Sequence, residues 1–286
     1  MRVDRFALRK SAPQVNTMVA SGYPASSGRL ITENQPKSGA WNMAFDAALL
    51  DGVLARNEII LRTYRWSEPT LSLGHFQKQV PADLTDQLQA IPSSPIASPP
   101  VSPSPPPPLP KVRRLSGGGA ILHHHEWTYS CIVPPGHPLA RRGTVLYEVV
   151  HTALIEAFGR LGIAARQRGE SSPENPFLCF LRGDPRDVVV SGHKVTGSAQ
   201  RRRRGAVLQH GSVLLRASPL APAIPGLLDL EPAQLPSDWF GREEFIAVLS
   251  RHLFTDRPDR APHPDDLSRT EEILKSKATP AIAGDE

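Results

Sequence analysis

The spacing of apolar residues predicts a chain that mixes helices with strands. Apolar positions recur at helical spacing from Met43 to Leu54, so we expect a helix there with Asn42 as its N-cap. The same spacing predicts a second helix over residues 145–161, and residues 266–274 carry the capped start of a third. These helices lie far apart in the sequence, and strand-like segments separate them.

Segments rich in β-branched and aromatic residues, or alternating apolar with polar ones, predict strands at 59–66, 70–76, 126–133, 187–195 and 206–215. A polar turn at Gln200–Gly205, between the last two strands, indicates a hairpin. Strands and helices do not alternate strictly along the chain. We therefore expect an α+β fold with a mixed, largely antiparallel sheet flanked by helices.

Proline content sets one segment apart from the rest of the chain. Ten prolines fall within residues 92–110, and proline cannot join a helix or a sheet interior because it lacks the amide donor and fixes φ. We expect an extended, proline-rich insertion at about residues 91–110. Residues 1–27 are basic and lack the apolar segment of a secretory signal, so we expect a disordered extension. For the rest of the chain we expect a main domain at 28–260 and a short helical tail at 261–286.

The composition and the cysteine count argue against a membrane-spanning protein and against a disulfide-stabilised one. Apolar residues make up 40% of the 286 residues, and no apolar run approaches the roughly 18 residues that a membrane-spanning helix needs. The two cysteines, Cys131 and Cys179, are too few for a disulfide framework. We therefore expect a cytoplasmic protein with no membrane partner, and we interpret Cys131, in the middle of a strand, as a packing residue.

The chain contains a run of arginines and a run of histidines, which could indicate nucleic-acid or metal binding. We interpret neither run as a functional site. Arg201–Arg204 lies in the predicted hairpin turn without interleaved aromatic residues, so we interpret it as a solvated turn and expect no nucleic-acid partner. In the run His123–His125, only the first and last histidines would share one face of a strand. No partner cluster with ligand spacing accompanies them, so we expect no metal site.

The segment Arg113–Gly119 is a candidate binding loop. Three successive glycines let the backbone turn freely and approach a ligand closely with its amides exposed. The two arginines that open it can hold a carboxylate or a phosphate. The loop matches neither the Walker phosphate loop nor the dinucleotide-binding fingerprint.

Six segments in a characteristic order carry a family resemblance: Trp41–Asp46, Trp66–Gly74, Arg113–His123, Glu126–Ser130, Gly192–Gln200 and Gln209–Gly211. Together they resemble the lipoate ligase and octanoyltransferase family, whose fold is related to that of the biotin protein ligases. The resemblance runs from about Gly28 to Leu274, interrupted by the proline-rich insertion. It implies a biotin/lipoate protein ligase-like catalytic domain.

Cys179 selects a branch of this family. In the cysteine-dependent octanoyltransferases a Cys-Phe pair lies a short loop upstream of a lysine, as Cys179-Phe180 and Lys194 do here. The resemblance implies transfer of octanoate from acyl carrier protein, through a Cys179 thioester, to a lysine of a lipoyl domain or glycine-cleavage H protein. This activity needs no cofactor. Two alternatives stay open, an ATP- and magnesium-dependent lipoate ligase and a non-catalytic module that binds acyl proteins.

The resemblance also implies residue roles. Cys179 would be the nucleophile, with Lys194 as the cation that favours its thiolate and stabilises the oxyanion. Either His210 or His123 would be the base that deprotonates the acceptor lysine. The acyl slot would have Leu71, Leu73 and Val195 among its walls. The expected substrate-binding residues are Arg113, Arg114, Ser116, Gly117, Gly118, Gly119, His123, Gly197, Ser198 and Ala199.

Overall fold

The structure, a computed structural model, describes residues 27–81, 84, 109–231, 241–254 and 259–278. Within these ranges ten strands form two sheets. The strands β1–β10 are Gly28–Thr32, Ile59–Tyr64, Thr70–Leu73, Lys111–Arg113, Ile121–His123, Glu126–Val133, Ala165–Gln167, Val188–Val190, His193–Arg203 and Ala206–Leu214. The helices α1–α6 are Gly39–Arg56, Pro138–Arg141, Val145–Arg160, Leu227–Leu230, Arg242–Leu253 and Pro264–Ala278. A 3₁₀ turn covers Cys179–Leu181.

Both sheets are mixed, and the large one is mainly antiparallel. The large sheet has the order β1-β2-β6-β10-β9-β8-β7, and the small sheet has the order β4-β3-β5. Parallel pairing occurs between β1 and β2 and between β3 and β4, while the other neighbours are antiparallel. The expected α+β class with a largely antiparallel mixed sheet is confirmed.

Helices cover both faces of the large sheet because its central strands alternate between two apolar clusters. Along β6, Trp127 and Cys131 enter a cluster with α3 and α5, where the Trp127 ring lies 5.3 Å from that of Phe245. Ile132, on the opposite face, packs with Phe45 of α1. Cys131 is fully buried, which raises the pKa of its thiol to about 12, so it acts as a packing residue.

Helix α1 begins four residues earlier than the sequence predicts. The hydroxyl of Ser38 accepts a hydrogen bond from the amide of Trp41, which makes Ser38 the N-cap. Asn42 is instead buried in the first turn, and its side-chain amide donates to the carbonyls of Lys37 and Arg65. The prediction of Asn42 as the cap is wrong because its amide serves tertiary contacts that sequence spacing does not reveal.

The predicted strand at 187–195 is in fact the two arms of a tight hairpin. Ser191 and Gly192 both have positive φ, at 48° and 83°, and a pair of such residues is typical of a two-residue hairpin turn. Strand β8 therefore ends at Val190, and Lys194 lies on β9 opposite Val189. This turn places Lys194 beside the segment that precedes β8.

The hairpin predicted between the two longest strands is present with a shorter turn. Strand β9 continues through Arg203, and the turn consists of Arg204 and Gly205, with φ of 48° and 85°. Most of the arginine run is therefore part of a strand. Arg202 donates to the carbonyl of Ala140, and Arg203 pairs with Asp51 at 2.6 Å.

Two predictions about domains concern residues that the structure does not describe. The predicted N-terminal extension and proline-rich insertion fall almost entirely on residues 1–26 and 92–108, which lie outside the described ranges. Within the described ranges, no helix has the length and apolarity to cross a bilayer. The tail begins with helix α6, which packs on α1.

The Ser191-Gly192 turn can be tested by substitution. Gly192→Ala places a Cβ at φ 83°, so we expect a loss of about 1–2 kcal/mol in the free energy of unfolding. Ser191→Asn is the matched variant, since asparagine tolerates positive φ, and it should leave stability equal or slightly higher. Urea unfolding measures both variants. Equal stability of Gly192→Ala and the parent chain would contradict the turn geometry.

Candidate active site

Cys179 and Lys194 meet at the start of strand β9. The Lys194 ammonium lies 3.8 Å from the Cys179 sulfur and donates to the Cys179 carbonyl at 3.1 Å. Its third partner is the carboxylate of Asp187, at 2.9 Å. Lys194 and Asp187 are both buried, whereas Cys179 is partly exposed. The arrangement holds a buried cation against a reachable thiol.

Backbone pairing fixes the position of Cys179. The Cys179 amide donates to the carbonyl of Ala120 at 2.7 Å, and the amide of Ala120 donates to Phe177 at 2.9 Å. The chain then enters the 3₁₀ turn at Cys179. Gly197 makes room for the cation, because a Cβ there would lie 2.6 Å from Cε of Lys194.

Asp187 is a site residue that sequence reasoning missed. Burial raises its pKa, and the Lys194 ammonium works against that shift. Its role was missed because residues 187–195 were predicted to form one strand. In a single strand, Asp187 and Lys194 are seven positions apart and cannot touch. The dipeptide Ser191-Gly192 was the available signal, because a two-residue turn there folds Asp187 back toward Lys194.

The two arginines of the glycine loop hold backbone carbonyls. Arg114 is buried, and its terminal nitrogens donate to Ser72 and to the carbonyls of Gly117 and Gly119. Arg113, which is exposed, donates to the carbonyls of Gly74 and Gln77. The terminal nitrogens of Arg114 are therefore committed to the protein, so the expected grip of its guanidinium fork on a carboxylate or phosphate is not what this geometry provides.

Glycine is required within the loop for steric reasons. Gly118 has a φ of 93°, which favours glycine. A Cβ on Gly119 would lie 2.8 Å from Nε of Arg182 and 2.9 Å from the carbonyl oxygen of Phe177. The loop therefore packs tightly on the segment that leads to Cys179.

His123 is held in a buried hydrogen-bond chain. Its Nδ1 lies 2.7 Å from Glu126, and its Nε2 lies 2.6 Å from the Ser72 hydroxyl, which also accepts from Arg114. Burial lowers the pKa of His123 despite the pull of Glu126. The neutral ring thus donates to Glu126 and accepts from Ser72. It also stacks on Trp66 at 3.7 Å, as part of a wall.

His210 belongs to a second, charged chain. Its Nε2 contacts the hydroxyl of Ser116, and its Nδ1 lies 3.4 Å from the carboxylate of Asp46. Burial alone would raise the pKa of Asp46, but Arg62 at 2.7 Å and the hydrogen bonds from His210 and Ser130 hold it below its ordinary value. An ionised carboxylate therefore stands behind the His210 imidazole.

Cys179, His123 and His210 all line one cavity of about 50 Å³. Its apolar lining comes from Met43, Tyr64, Trp66 and Ile121. The predicted site residues that line it are Arg114, Gly117, Gly118, His123, Cys179, Gly197, Ser198, Ala199 and His210.

Four predicted site residues lie outside this lining, and three predicted walls lie elsewhere. Arg113, Ser116, Gly119 and Lys194 do not line the cavity, although the last three each contact a residue that does. The predicted walls Leu71, Leu73 and Val195 are wrong. Alternation in β3 and β9 directs them into other apolar clusters, those of the small sheet and of the main core.

A second cavity, of about 280 Å³, adjoins the first. The two share Gly117, Gly118, Ser198 and Ala199 as their common wall. The remaining lining of the second cavity is polar and consists of Tyr147, His151, Asp184, Arg186, Asp187 and Gln200. The glycine loop and strand β9 thus separate an apolar compartment from a polar one.

Comparison with known proteins identifies the family. The lipoyl protein ligase A/B catalytic domain matches residues 38–222. The chain belongs to this family. Octanoyltransferase LipM of Macrococcus caseolyticus is 35% identical over 61% of this chain and 61% of its own length. LipM of Oceanobacillus iheyensis is 36% identical over 72% of this chain and 68% of its own length. The chain thus spans less than two thirds of the Macrococcus protein that it matches.

Solved structures of lipoyl protein ligases share the fold. Lipoate-protein ligase A bound with ATP superposes with a TM-score of 0.62 at 19% identity, over 87% of this chain and 94% of that one. A bipartite lipoate protein ligase from Thermoplasma acidophilum gives 0.62 at 19%, over 87% and 92%. At such identities the likeness establishes the architecture that the sequence motifs predicted.

The histidine run is engaged in protein contacts. His124 stacks on His125 at 3.7 Å, and its Nδ1 lies 2.9 Å from the Ser218 hydroxyl. His123 is committed to Glu126. In the part of the chain that the structure describes, no three histidine, cysteine or acidic side chains converge as metal ligands.

His151 gives the polar cavity a pH-dependent element. It lies against the carbonyl of Arg186 and the hydroxyl of Ser198, and burial lowers its pKa to about 4. Because the unfolded chain takes up this proton near pH 6.5, stability present above that pH is lost as the pH falls toward 4. We expect this histidine to account for about 3 kcal/mol of that loss.

Urea unfolding between pH 7 and pH 4 tests the assignment. His151→Gln still accepts from Ser198 but does not titrate, so its stability should fall by about 3 kcal/mol less than that of the parent chain. His263→Gln, at a partly exposed position, is the matched control and should follow the parent. Identical acid sensitivity of His151→Gln and the parent would refute the prediction.

Proposed function

We propose that this protein is a protein octanoyltransferase that works through a thioester on Cys179. The observation that carries the proposal is a partly exposed sulfur that lines an apolar cavity 3.8 Å from the Lys194 ammonium. The relatives named octanoyltransferase support the same activity. The donor would be octanoyl-acyl carrier protein, and the acceptor would be a lysine of a lipoyl domain or of the glycine-cleavage H protein.

The first half-reaction moves the acyl group to the protein. The Cys179 thiolate attacks the carbonyl carbon of the donor thioester, and the electron pair of the carbonyl moves to oxygen. Collapse of this intermediate breaks the bond to the carrier sulfur, which leaves as a thiolate and takes a proton from solvent. Because one thioester replaces another, the exchange needs no ATP. Lys194 stabilises negative charge at the sulfur and at the oxygen.

The second half-reaction forms an amide. The acceptor lysine must lose one proton to solvent before attack, and its nitrogen loses another as the amide forms and Cys179 leaves as a thiolate. We assign His210 as the base for this second proton, because it lines the cavity and has the ionised Asp46 behind it. His123 is less suited, since burial lowers its pKa and its ring is stacked on Trp66 as part of the wall.

The two cavities suit two substrates. The apolar side chains of the first suit the methylene groups of an acyl chain. The second, with Asp184 and Asp187 in its lining, offers a polar approach for the acceptor lysine. Their common wall at Gly117 and Ser198 would bring the amine close to the acyl-enzyme.

Intact-protein mass spectrometry tests the proposal. Incubation with octanoyl-acyl carrier protein should add one octanoyl group, and a lipoyl domain should then remove it. Cys179→Ala should abolish the adduct. Cys131→Ala is the matched control and should retain it, because the Cys131 thiol is fully buried with a pKa raised to about 12.

The same experiment separates the alternatives. A ligase would modify the lipoyl domain with free lipoate only when ATP and magnesium are supplied, and it would do so in Cys179→Ala. A binding module would retain octanoyl-acyl carrier protein without forming any adduct. Either result would replace the transferase proposal.

A further inference from the structure

One N–H group of the Arg114 side chain is not used in the hydrogen bonds that hold this residue in place. An arginine side chain carries five N–H donors in a fixed planar fork. One terminal nitrogen of Arg114 donates to the carbonyl and the hydroxyl of Ser72, at 2.8 and 2.7 Å. The other donates to the carbonyls of Gly117 and Gly119, at 3.1 and 2.8 Å. These four bonds leave Nε–H as the fifth donor.

That fifth donor is buried without an acceptor among the residues that the structure describes. Arg114 as a whole is only 3% exposed. A buried donor without a partner is costly, by about 1–3 kcal/mol, and buried N–H groups in proteins are nearly always paired. A group that arrives with substrate would satisfy it.

Arg114 also lies beside the thiol. It lines the same cavity as Cys179, together with Gly117 and Gly118. Burial lowers the pKa of Arg114 to about 10, and the charge of Cys179 opposes that shift, which places the two groups within electrostatic reach. The guanidinium group therefore borders the same compartment as the sulfur that a thioester carbonyl must reach.

We propose that Nε–H of Arg114 hydrogen-bonds the carbonyl oxygen of the acyl thioester and stabilises its negative charge as Cys179 attacks. This inference rests on the proposed function. The sulfur–carbon bond forms while the carbonyl electron pair moves to oxygen. That oxygen gains charge next to a donor that four other hydrogen bonds already hold in place, so little reorganisation is needed. Lys194 lies 3.8 Å from the sulfur, and Arg114 supplies a further donor for the oxygen.

Arg113 offers a matched comparison. It also donates to loop carbonyls, those of Gly74 and Gln77, but it is exposed and does not line the cavity. A variant of Arg113 therefore reports what loss of an arginine from this loop does by itself. Any effect confined to Arg114 belongs to its place at the cavity.

Two reactions of the same sulfur provide the test. Acylation by octanoyl-acyl carrier protein develops charge on a carbonyl oxygen, whereas alkylation by iodoacetamide displaces iodide and needs no such stabilisation. In Arg114→Lys, which keeps the positive charge but loses the fork, acylation should slow by about 100-fold. Alkylation should change by less than threefold, and Arg113→Lys should alter neither rate by more than threefold. Rapid quenching followed by intact-mass measurement gives both rates.

Other outcomes are equally informative. Equal losses in acylation and alkylation would assign Arg114 to loop structure alone and overturn the inference, as would acylation at the parent rate. A parent chain that alkylates but never acylates would refute the proposed function itself.

A second variant keeps the inference testable if Arg114→Lys does not fold. Ser72→Ala removes one of the four acceptors that hold the guanidinium, so acylation should slow several-fold more than alkylation. Equal effects of Ser72→Ala on the two reactions would again overturn the inference.

Discussion

The site depends on the contacts that a buried ammonium group, that of Lys194, makes with its polar neighbours. Taking a charge out of water is costly unless partners replace its hydration. Lys194 meets this requirement with the carboxylate of Asp187 and the carbonyl of Cys179, and the Cys179 sulfur lies beside it. These contacts join strand β9, the residue before β8 and the 3₁₀ turn. The charge that orders the site is thus also the charge that favours a thiolate.

The rest of the site is divided between two buried hydrogen-bond chains. One runs from Arg114 through Ser72 and His123 to Glu126. The other runs from Arg62 through Asp46 to His210. The first chain builds a rigid wall and positions the glycine loop. The second places an ionised carboxylate behind a histidine, which suits it to accept a proton.

Sequence reasoning selected Cys179, Lys194 and the glycine loop through a family resemblance that local motifs carry, and the structure places Cys179 beside Lys194 and in one cavity with the loop. The α+β class is confirmed as well. Sequence reasoning missed Asp187 because a two-residue turn at Ser191 and Gly192 decides which residue faces Lys194. Nothing in the spacing of a single strand contains that information.

The acyl walls were mispredicted for a related reason. Leu71 and Val195 are apolar and close in sequence to the motifs, yet alternation along their strands directs them into separate cores. The cavity is instead lined by Met43, Tyr64 and Trp66, which come from α1 and from β2 and the segment after it. Long-range packing decides such walls, and local patterns cannot report it.

The most direct test of the account is the reactivity of the Cys179 thiol when its neighbouring charge is removed. Lys194→Met has nearly the same length without the charge, so we expect iodoacetamide to alkylate Cys179 at pH 7 at least tenfold more slowly than in the parent chain. Lys194→Arg, which keeps a cation, should remain closer to the parent rate. Unchanged alkylation in a folded Lys194→Met chain would contradict the central claim that this ammonium activates the sulfur.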